Sequence, residues 1–201
     1  METMPTKATL ARAAIGFRVK SGWATAVLLA GPTHSPRVVD HRVIHLSDPA
    51  VPESRQPYHA GMGTLDEDDA KIKPRIKVVQ RITNGSVAAL LDDYRNLGCK
   101  LRGAALVVGS LIEPSSIKNP HIRAHALEGQ LFRTVLDDAL RLFGLPCSVV
   151  VERNAYSEAT TVLKRSEDKL KRAVSDLGRG VSGRWRADEK LAALAAWMTL
   201  A

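Results

Sequence analysis

Two histidines and a glutamate recur in one stretch of the chain at a spacing that suits a metal site. His121, His125 and Glu128 fall four and then three residues apart, so on a helix all three share one face. Imidazole nitrogens and a carboxylate are ligands for Zn²⁺ and other transition metals. The pattern therefore favours, as one hypothesis, a metal-dependent enzyme centred on this face. A plain polar helix face is the alternative.

The same helix face has a competing interpretation as an anion site. Asn119 as N-cap and Pro120 as first helical residue predict that the helix begins just before His121. The unpaired N–H groups and the dipole at a helix start favour negative charge, and Arg123 adds positive charge beside them. We therefore expect His121 and Arg123 to contact an anion such as a phosphate, or to be structural, in preference to a metal.

Positive charge dominates the chain. There are 29 Lys and Arg residues against 21 Asp and Glu, a formal net charge of +8, which favours polyanionic partners, chiefly nucleic acid. An ordinary basic protein is the alternative. The charge is densest over residues 164–186, where we expect phosphate contacts that do not read bases. The eight basic residues of this stretch, called the basic segment below, are Lys164, Arg165, Lys169, Lys171, Arg172, Arg179, Arg184 and Arg186.

Composition narrows the class of protein. The 201 residues are 45% hydrophobic and 25% charged, which is typical of one globular domain. No apolar run approaches the roughly 20 residues of a membrane-spanning helix, and the N-terminus lacks an apolar signal core. Two cysteines suit a reducing cytoplasm. We therefore expect a cytoplasmic protein with no membrane partner, made of a flexible N-terminal tail at 1–12 and a single domain at 13–201.

The hydrophobic periodicity predicts an alternation of strands and helices. Three β-rich stretches joined by short turns indicate an antiparallel meander. A loop over 47–74 follows, in which Tyr58 and His59 could form a lid or a partner contact. The predicted strands cover 14–20, 23–30, 37–46, 104–109 and 148–151, and the helices cover 75–97, 120–142, 157–177 with a break near Ser166, and 187–200.

A meander that feeds two β-α-β units gives a mixed sheet with right-handed crossovers. The predicted fold class is thus α/β, with five strands in the order 3-2-1-4-5 and helices on both faces. This order of elements resembles the ribonuclease-H-like superfamily, and within it the RuvC-type Holliday-junction resolvases, over roughly residues 14–200. The alanine-rich stretch after Trp185, which starts with Asp188 and Glu189, resembles the acidic opening of that family's last helix.

The resemblance implies two Mg²⁺ ions for phosphodiester hydrolysis, held by carboxylates from the first strand, the fourth strand and the last helix. This sequence departs from that pattern, so the usual acidic site is largely missing. Arg18 stands where the first strand should carry an aspartate, and Gly109 stands where the fourth should end in a glutamate. Asp188 and Glu189 remain, and Glu152 could supply a substitute carboxylate unless it is a strand-end surface residue. Glu152, Asp188 and Glu189 are therefore the candidate catalytic residues.

The leading hypothesis is a nucleic-acid-associated ribonuclease-H-like protein with an incomplete or rearranged nuclease site, which binds rather than performs two-metal cleavage. One alternative is a structural or regulatory protein-interaction module that does not use nucleic acid, and a protein partner or homodimer stays open. The other is the metal-dependent enzyme built on His121, His125 and Glu128. The sequence leaves the cofactor unknown, with a divalent metal as the candidate.

Overall fold

The structure, a computed structural model, describes residues 11–60 and 63–201. Its centre is a five-stranded sheet in the order β3-β2-β1-β4-β5. The first three strands form an antiparallel meander, while β4 lies parallel to β1 and β5 lies parallel to β4. This confirms the predicted mixed sheet. The strands are β1 (Ala11–Lys20), β2 (Trp23–Ala30), β3 (Arg37–His45), β4 (Cys99–Val108) and β5 (Cys147–Val151).

Helices cover both faces of the sheet, as predicted. The helices are α1 (Asp69–Asn96), α2 (Pro120–Leu142), α3 (Ala155–Leu163), α4 (Glu167–Leu177) and α5 (Ala187–Leu200). The crossover helices α1 and α2 bury their apolar sides against one face, whereas α5 lies on the other face beneath α3 and α4. Within the described residues, no helix combines the length and the apolar character needed to cross a bilayer.

Alternation along β1 distributes its side chains between the two layers. Ile15 and Phe17 belong to the core under α1 and α2. Because side chains alternate along a strand, Gly16 and Arg18 face α5. Gly16 is the point of closest approach, since a Cβ atom added there would lie 1.8 Å from the Ala192 carbonyl oxygen of α5. Arg18 continues the same face as Gly16, and this directs its side chain towards the start of α5.

The loop predicted over 47–74 is shorter than expected. The Asp68 side chain caps a helix that begins at Asp69, so Pro74 lies inside α1 rather than before it. A short 3-10 turn also covers Pro52–Arg55. The proline removes one helical hydrogen bond. The cap and the burial of Ile72 on the preceding turn offset that loss and extend the helix upstream.

Two strands begin three or more residues earlier than predicted. The strand β1 begins at Ala11, so the last two residues of the predicted 1–12 tail belong to the sheet, and the rest of that tail lies outside the described residues. The strand β4 begins at Cys99, ahead of the apolar run at 104–109 that predicted it. The break in the third predicted helix, 157–177, is confirmed, because Lys164 adopts a left-handed φ of 53° and ends α3 there.

Candidate functional sites at the carboxyl edge of the sheet

The first candidate site is an ion-pair group, the Arg18 cluster, made of Arg18, Lys20, Glu152 and Asp188. Three elements bring it together at the edge where the parallel strands end. Arg18 and Lys20 lie at the end of β1, Glu152 directly follows β5, and Asp188 lies in the first turn of α5. Two of the three predicted catalytic residues, Glu152 and Asp188, therefore meet around the same arginine.

The Arg18 guanidinium is held on several sides. Its Nη2 pairs directly with Oε2 of Glu152, and its Nε lies 3.8 Å from Oδ1 of Asp188. Its Nη1 donates to the carbonyl of Val107 at 3.3 Å, which fixes it against β4. The Arg18 side chain is only 6% exposed. Lys20 Nζ lies 3.4 Å from Asp188 Oδ1, so two cations and two carboxylates have a formal net charge of zero.

Glu189 lies outside the Arg18 cluster. Its Oε2 accepts a hydrogen bond from the backbone N–H of Arg186 at 2.8 Å, which completes a capping interaction at the start of α5. A carboxylate in the first turn also interacts favourably with the helix dipole. The geometry thus gives Glu189 a role in positioning α5, and through it the neighbouring Asp188.

The second candidate site is the histidine cluster, made of His59, His121, His125 and Glu128. His121 and His125 lie one turn apart near the start of α2, as their spacing predicted, and His59 reaches them from the segment between β3 and α1. One ring nitrogen from each histidine lies within 4.8 Å of the others. Nε2 of His121 and Nε2 of His125 are 3.2 Å apart.

Glu128 lies beneath these rings and is fully buried. Its Oε1 accepts from Nδ1 of His59 at 2.6 Å, and its Oε2 lies 3.5 Å from Nδ1 of His125. Burial raises the pKa of Glu128, although the hydrogen bond from His59 acts in the opposite direction. Burial and the two neighbouring imidazoles lower the pKa of His125 and favour its neutral form.

The two residues of the predicted anion site, His121 and Arg123, each donate a hydrogen bond to a backbone carbonyl. Nδ1 of His121 donates to the Gly63 carbonyl at 2.6 Å. Nε of Arg123 donates to the Ile117 carbonyl at 2.7 Å, which ties it to the loop before α2. His121 is therefore held by the Gly63 carbonyl through Nδ1, while its Nε2 faces His125 within the histidine cluster. An anion contact by the remaining Arg123 nitrogens stays a prediction.

Three residues of the basic segment contact other side chains or the backbone, and the other five form no ion pair with the described residues. Lys171 pairs with Glu167 and Arg179 with Asp176, while Arg165 donates to the His34 carbonyl and stacks over Trp197. The remaining five are exposed and form no ion pair with residues 11–60 or 63–201. These open basic residues are Lys164, Lys169, Arg172, Arg184 and Arg186.

Sequence reasoning missed His59 as a member of the histidine cluster. The helical period relates His121, His125 and Glu128, but no local pattern relates a residue at 59 to a helix that starts at Pro120. The sequence indicated His59 only as a possible lid or partner-contact residue in the loop predicted over 47–74. It also missed that Arg18 would bind Glu152 and Asp188 instead of only displacing a cation.

The sequence matches no known protein-family model and no curated protein. Among solved structures, the chain is similar to Thermus thermophilus RuvC in complex with a Holliday junction substrate. The identity is 13% and the TM-score 0.52, over 94% of this chain and 91% of that one. Another Thermus thermophilus RuvC structure gives 12% identity and a TM-score of 0.52, over 93% and 92% of the two chains. With the strand order above, these likenesses show that the chain has a ribonuclease-H-like fold of the RuvC type.

Proposed function

We propose that the protein binds nucleic acid through phosphate contacts and does not hydrolyse it by a two-metal mechanism. The observation that carries this proposal is the Arg18 guanidinium, which lies between Glu152 and Asp188 at the carboxyl edge of the sheet. The similar RuvC structure holds a Holliday junction. A protein with this fold and a net charge of +8 is suited to a polyanionic partner.

The residues of the Arg18 cluster do not fit the pair of Mg²⁺ ions that the resemblance implies. Mg²⁺ requires oxygen ligands in near-octahedral geometry. Here both carboxylates are already neutralised, Glu152 by Arg18 and Asp188 by Arg18 and Lys20. A divalent cation would also meet two positive groups at short range, and Coulomb repulsion opposes its entry. We derive no hydrolytic step from this cluster.

The neutral cluster also bears on how a phosphate backbone could approach. Unpaired carboxylates at this edge would repel phosphates. Glu152 and Asp188 are paired with Arg18 and Lys20, so their negative charge is neutralised and this repulsion is largely removed. The open basic residues Arg184 and Arg186 directly precede α5, whose first turn carries Asp188. The charge pattern therefore supports a phosphate path from α4 towards this edge of the sheet.

Binding is expected to fall with salt and to depend on the open basic residues. Four phosphate contacts give a decrease of about 100-fold between 50 and 200 mM salt, because each neutralised phosphate releases counterions. The double variant Lys169→Ala/Arg172→Ala should weaken binding evenly across sequences and reduce the salt slope by about 2. Fluorescence anisotropy with a labelled duplex and a labelled four-way junction measures both effects.

The matched control is the double variant Lys100→Ala/Arg102→Ala, which removes a lysine and an arginine from the first half of β4, away from its carboxyl end; both are exposed and form no ion pair with the described residues. Its binding should stay closer to that of the unchanged protein. Equal losses in both double variants would mean that net charge alone drives binding. No binding at 50 mM salt would contradict the proposal and leave the protein-interaction module as the better hypothesis.

Cleavage is tested separately on the same junction. We expect no Mg²⁺-dependent cutting of branched DNA or of an RNA–DNA hybrid, because the carboxylates that would hold the ions are already paired with Arg18 and Lys20. Gel analysis after incubation with Mg²⁺ measures this. Cutting that disappears in Asp188→Asn would overturn this part of the proposal and leave the binding part intact.

We also propose that the protein is located in the cytoplasm. Cys99 and Cys147 are both free thiols, and free thiols are usual in a reducing compartment such as the cytoplasm. A protein partner or a second copy of the chain is compatible with phosphate binding and would be seen as an additional complex in the same titrations.

A further inference from the structure

The histidine cluster joins two segments that are far apart in the chain. His59 belongs to the segment between β3 and α1, and its side chain is 8% exposed. His121 and His125 belong to α2, which crosses from β4 to β5. The close approach of three imidazoles requires an explanation, because protonated rings carry like charges and would repel one another. A shared ligand between them is one such reason.

Hydrogen-bond partners fix which nitrogen of two rings carries hydrogen. A carbonyl or a carboxylate oxygen accepts hydrogen bonds, so Nδ1 of His121 donates to Gly63 and Nδ1 of His59 donates to Glu128. In a neutral imidazole the other nitrogen, Nε2, then carries a lone pair. The buried Nε2 of His59 has no hydrogen-bond partner among the described residues. The Nε2 of His121 faces Nε2 of His125 at 3.2 Å, so two lone pairs are directed into one small space.

The spacing of two of the three nitrogens matches a tetrahedral metal centre, and the third lies within 4.8 Å of them. Zn–N bonds of about 2.0–2.1 Å at tetrahedral angles place two ligand nitrogens about 3.3–3.4 Å apart. Nε2 of His121 and Nε2 of His125 are 3.2 Å apart. His125 is 47% exposed, so an ion can reach the cluster from solvent on this side.

The surroundings resemble the outer hydrogen bonds of a metal site. Metal-bound histidines usually donate their second N–H to a carboxylate or a backbone carbonyl, which fixes the ring and raises its basicity. His59 donates to Glu128, and His121 donates to Gly63. Glu128 is fully buried and its Oε2 has no hydrogen-bond partner among the described residues. A divalent cation above the rings would compensate the charge of this carboxylate.

We propose that His59, His121 and His125 bind one Zn²⁺ ion, with Glu128 as the positioning residue behind His59 and His125 rather than as a ligand. The site goes beyond the proposed nucleic-acid function and does not depend on it. It changes the expectation from the sequence in two ways. It adds His59, and it moves Glu128 from the metal to the hydrogen bond that orients His59 and to a place 3.5 Å behind His125.

Purified protein without a histidine tag tests the site. After removal of metal with a chelator, titration with Zn²⁺ in competition with a chromophoric chelator should give one ion per chain. Loading with Co²⁺ should give the intense visible absorption of a tetrahedral nitrogen-ligated ion. Both signals should be lost in His125→Ala, whose exposed side chain can be removed without disturbing the core, and in His59→Ala.

The matched control is His34→Ala, an exposed histidine outside the cluster that should leave both signals unchanged. Glu128→Gln separates positioning from ligation, because it should retain one ion per chain and lower the affinity by about 10–100-fold. Circular dichroism verifies that each variant is folded. The proposal is wrong if unchanged protein takes up no Zn²⁺, or if His125→Ala takes up as much as His34→Ala.

Discussion

Gly16→Ala is expected to lower the free energy of unfolding by about 3 kcal/mol, the upper end of the usual cost of overpacking. The added methyl would lie 1.8 Å from the Ala192 carbonyl oxygen and 2.7 Å from the Ala196 backbone nitrogen. Both are backbone atoms of α5, so no rotamer change can relieve the clash. The helix would have to move away from β1. Urea denaturation followed by circular dichroism measures the loss.

Gly85→Ala is the control, because it makes the same substitution where space is open. Gly85 lies within α1, and an added Cβ would meet no atom within 4 Å there. Alanine is favoured over glycine in a helix interior by about 1 kcal/mol, so this variant should be more stable than the unchanged protein. Equal stabilities for the two variants would mean that α5 does not approach β1 as closely as described.

Arg18→Met is expected to lower the free energy of unfolding by about 1–3 kcal/mol, the cost of leaving partly buried polar groups without their partner. Methionine keeps much of the volume of the arginine stem but leaves Glu152 and Asp188 close together without the guanidinium between them. The expected loss is smaller than that of a broken, fully buried ion pair, because Glu152 is 43% and Asp188 30% exposed. Urea denaturation at neutral pH gives the value.

Arg153→Met serves as the control for Arg18→Met, since Arg153 is exposed and adjacent to Glu152 in the chain. It should change stability by less than about 0.5 kcal/mol, as surface substitutions usually do. The double variant Arg18→Met/Glu152→Gln should recover part of the loss, because it removes the charge that Arg18 no longer neutralises, whereas Asp188 keeps Lys20 as its partner. The interpretation of Arg18 as an ion-pair centre fails if both single variants are equally stable.

Local signals predicted the parts of the fold that depend on neighbours in sequence. The Asn119–Pro120 start of α2 was predicted to the residue, because the N-cap and the first helical position each prefer particular residue types. The start of α1 was not. Pro74 signalled a helix boundary, and the cap at Asp68 overrode it. The burial of Ile72 adds to that cap, and burial is a tertiary property that the local sequence does not show.

The candidate sites show the same division. His121 and His125 lie four residues apart in one helix, so the helical period was sufficient to predict that they are neighbours. His59 joins them through the path of a loop, which periodicity does not describe. Arg18 was recognised as unfavourable for a cation, yet its contact with Glu152 required the positions of β5 and β1 on either side of β4.

The alternation of β1 has a consequence for changes in the length of the chain. Gly16 and Arg18 face α5, while Ile15 and Phe17 face the other layer. Deleting one residue from this strand would exchange the two faces, so that a guanidinium would enter the apolar layer and a phenylalanine would meet the backbone of α5. Deleting two residues would preserve the faces. For this strand, the smaller deletion is therefore the more damaging one.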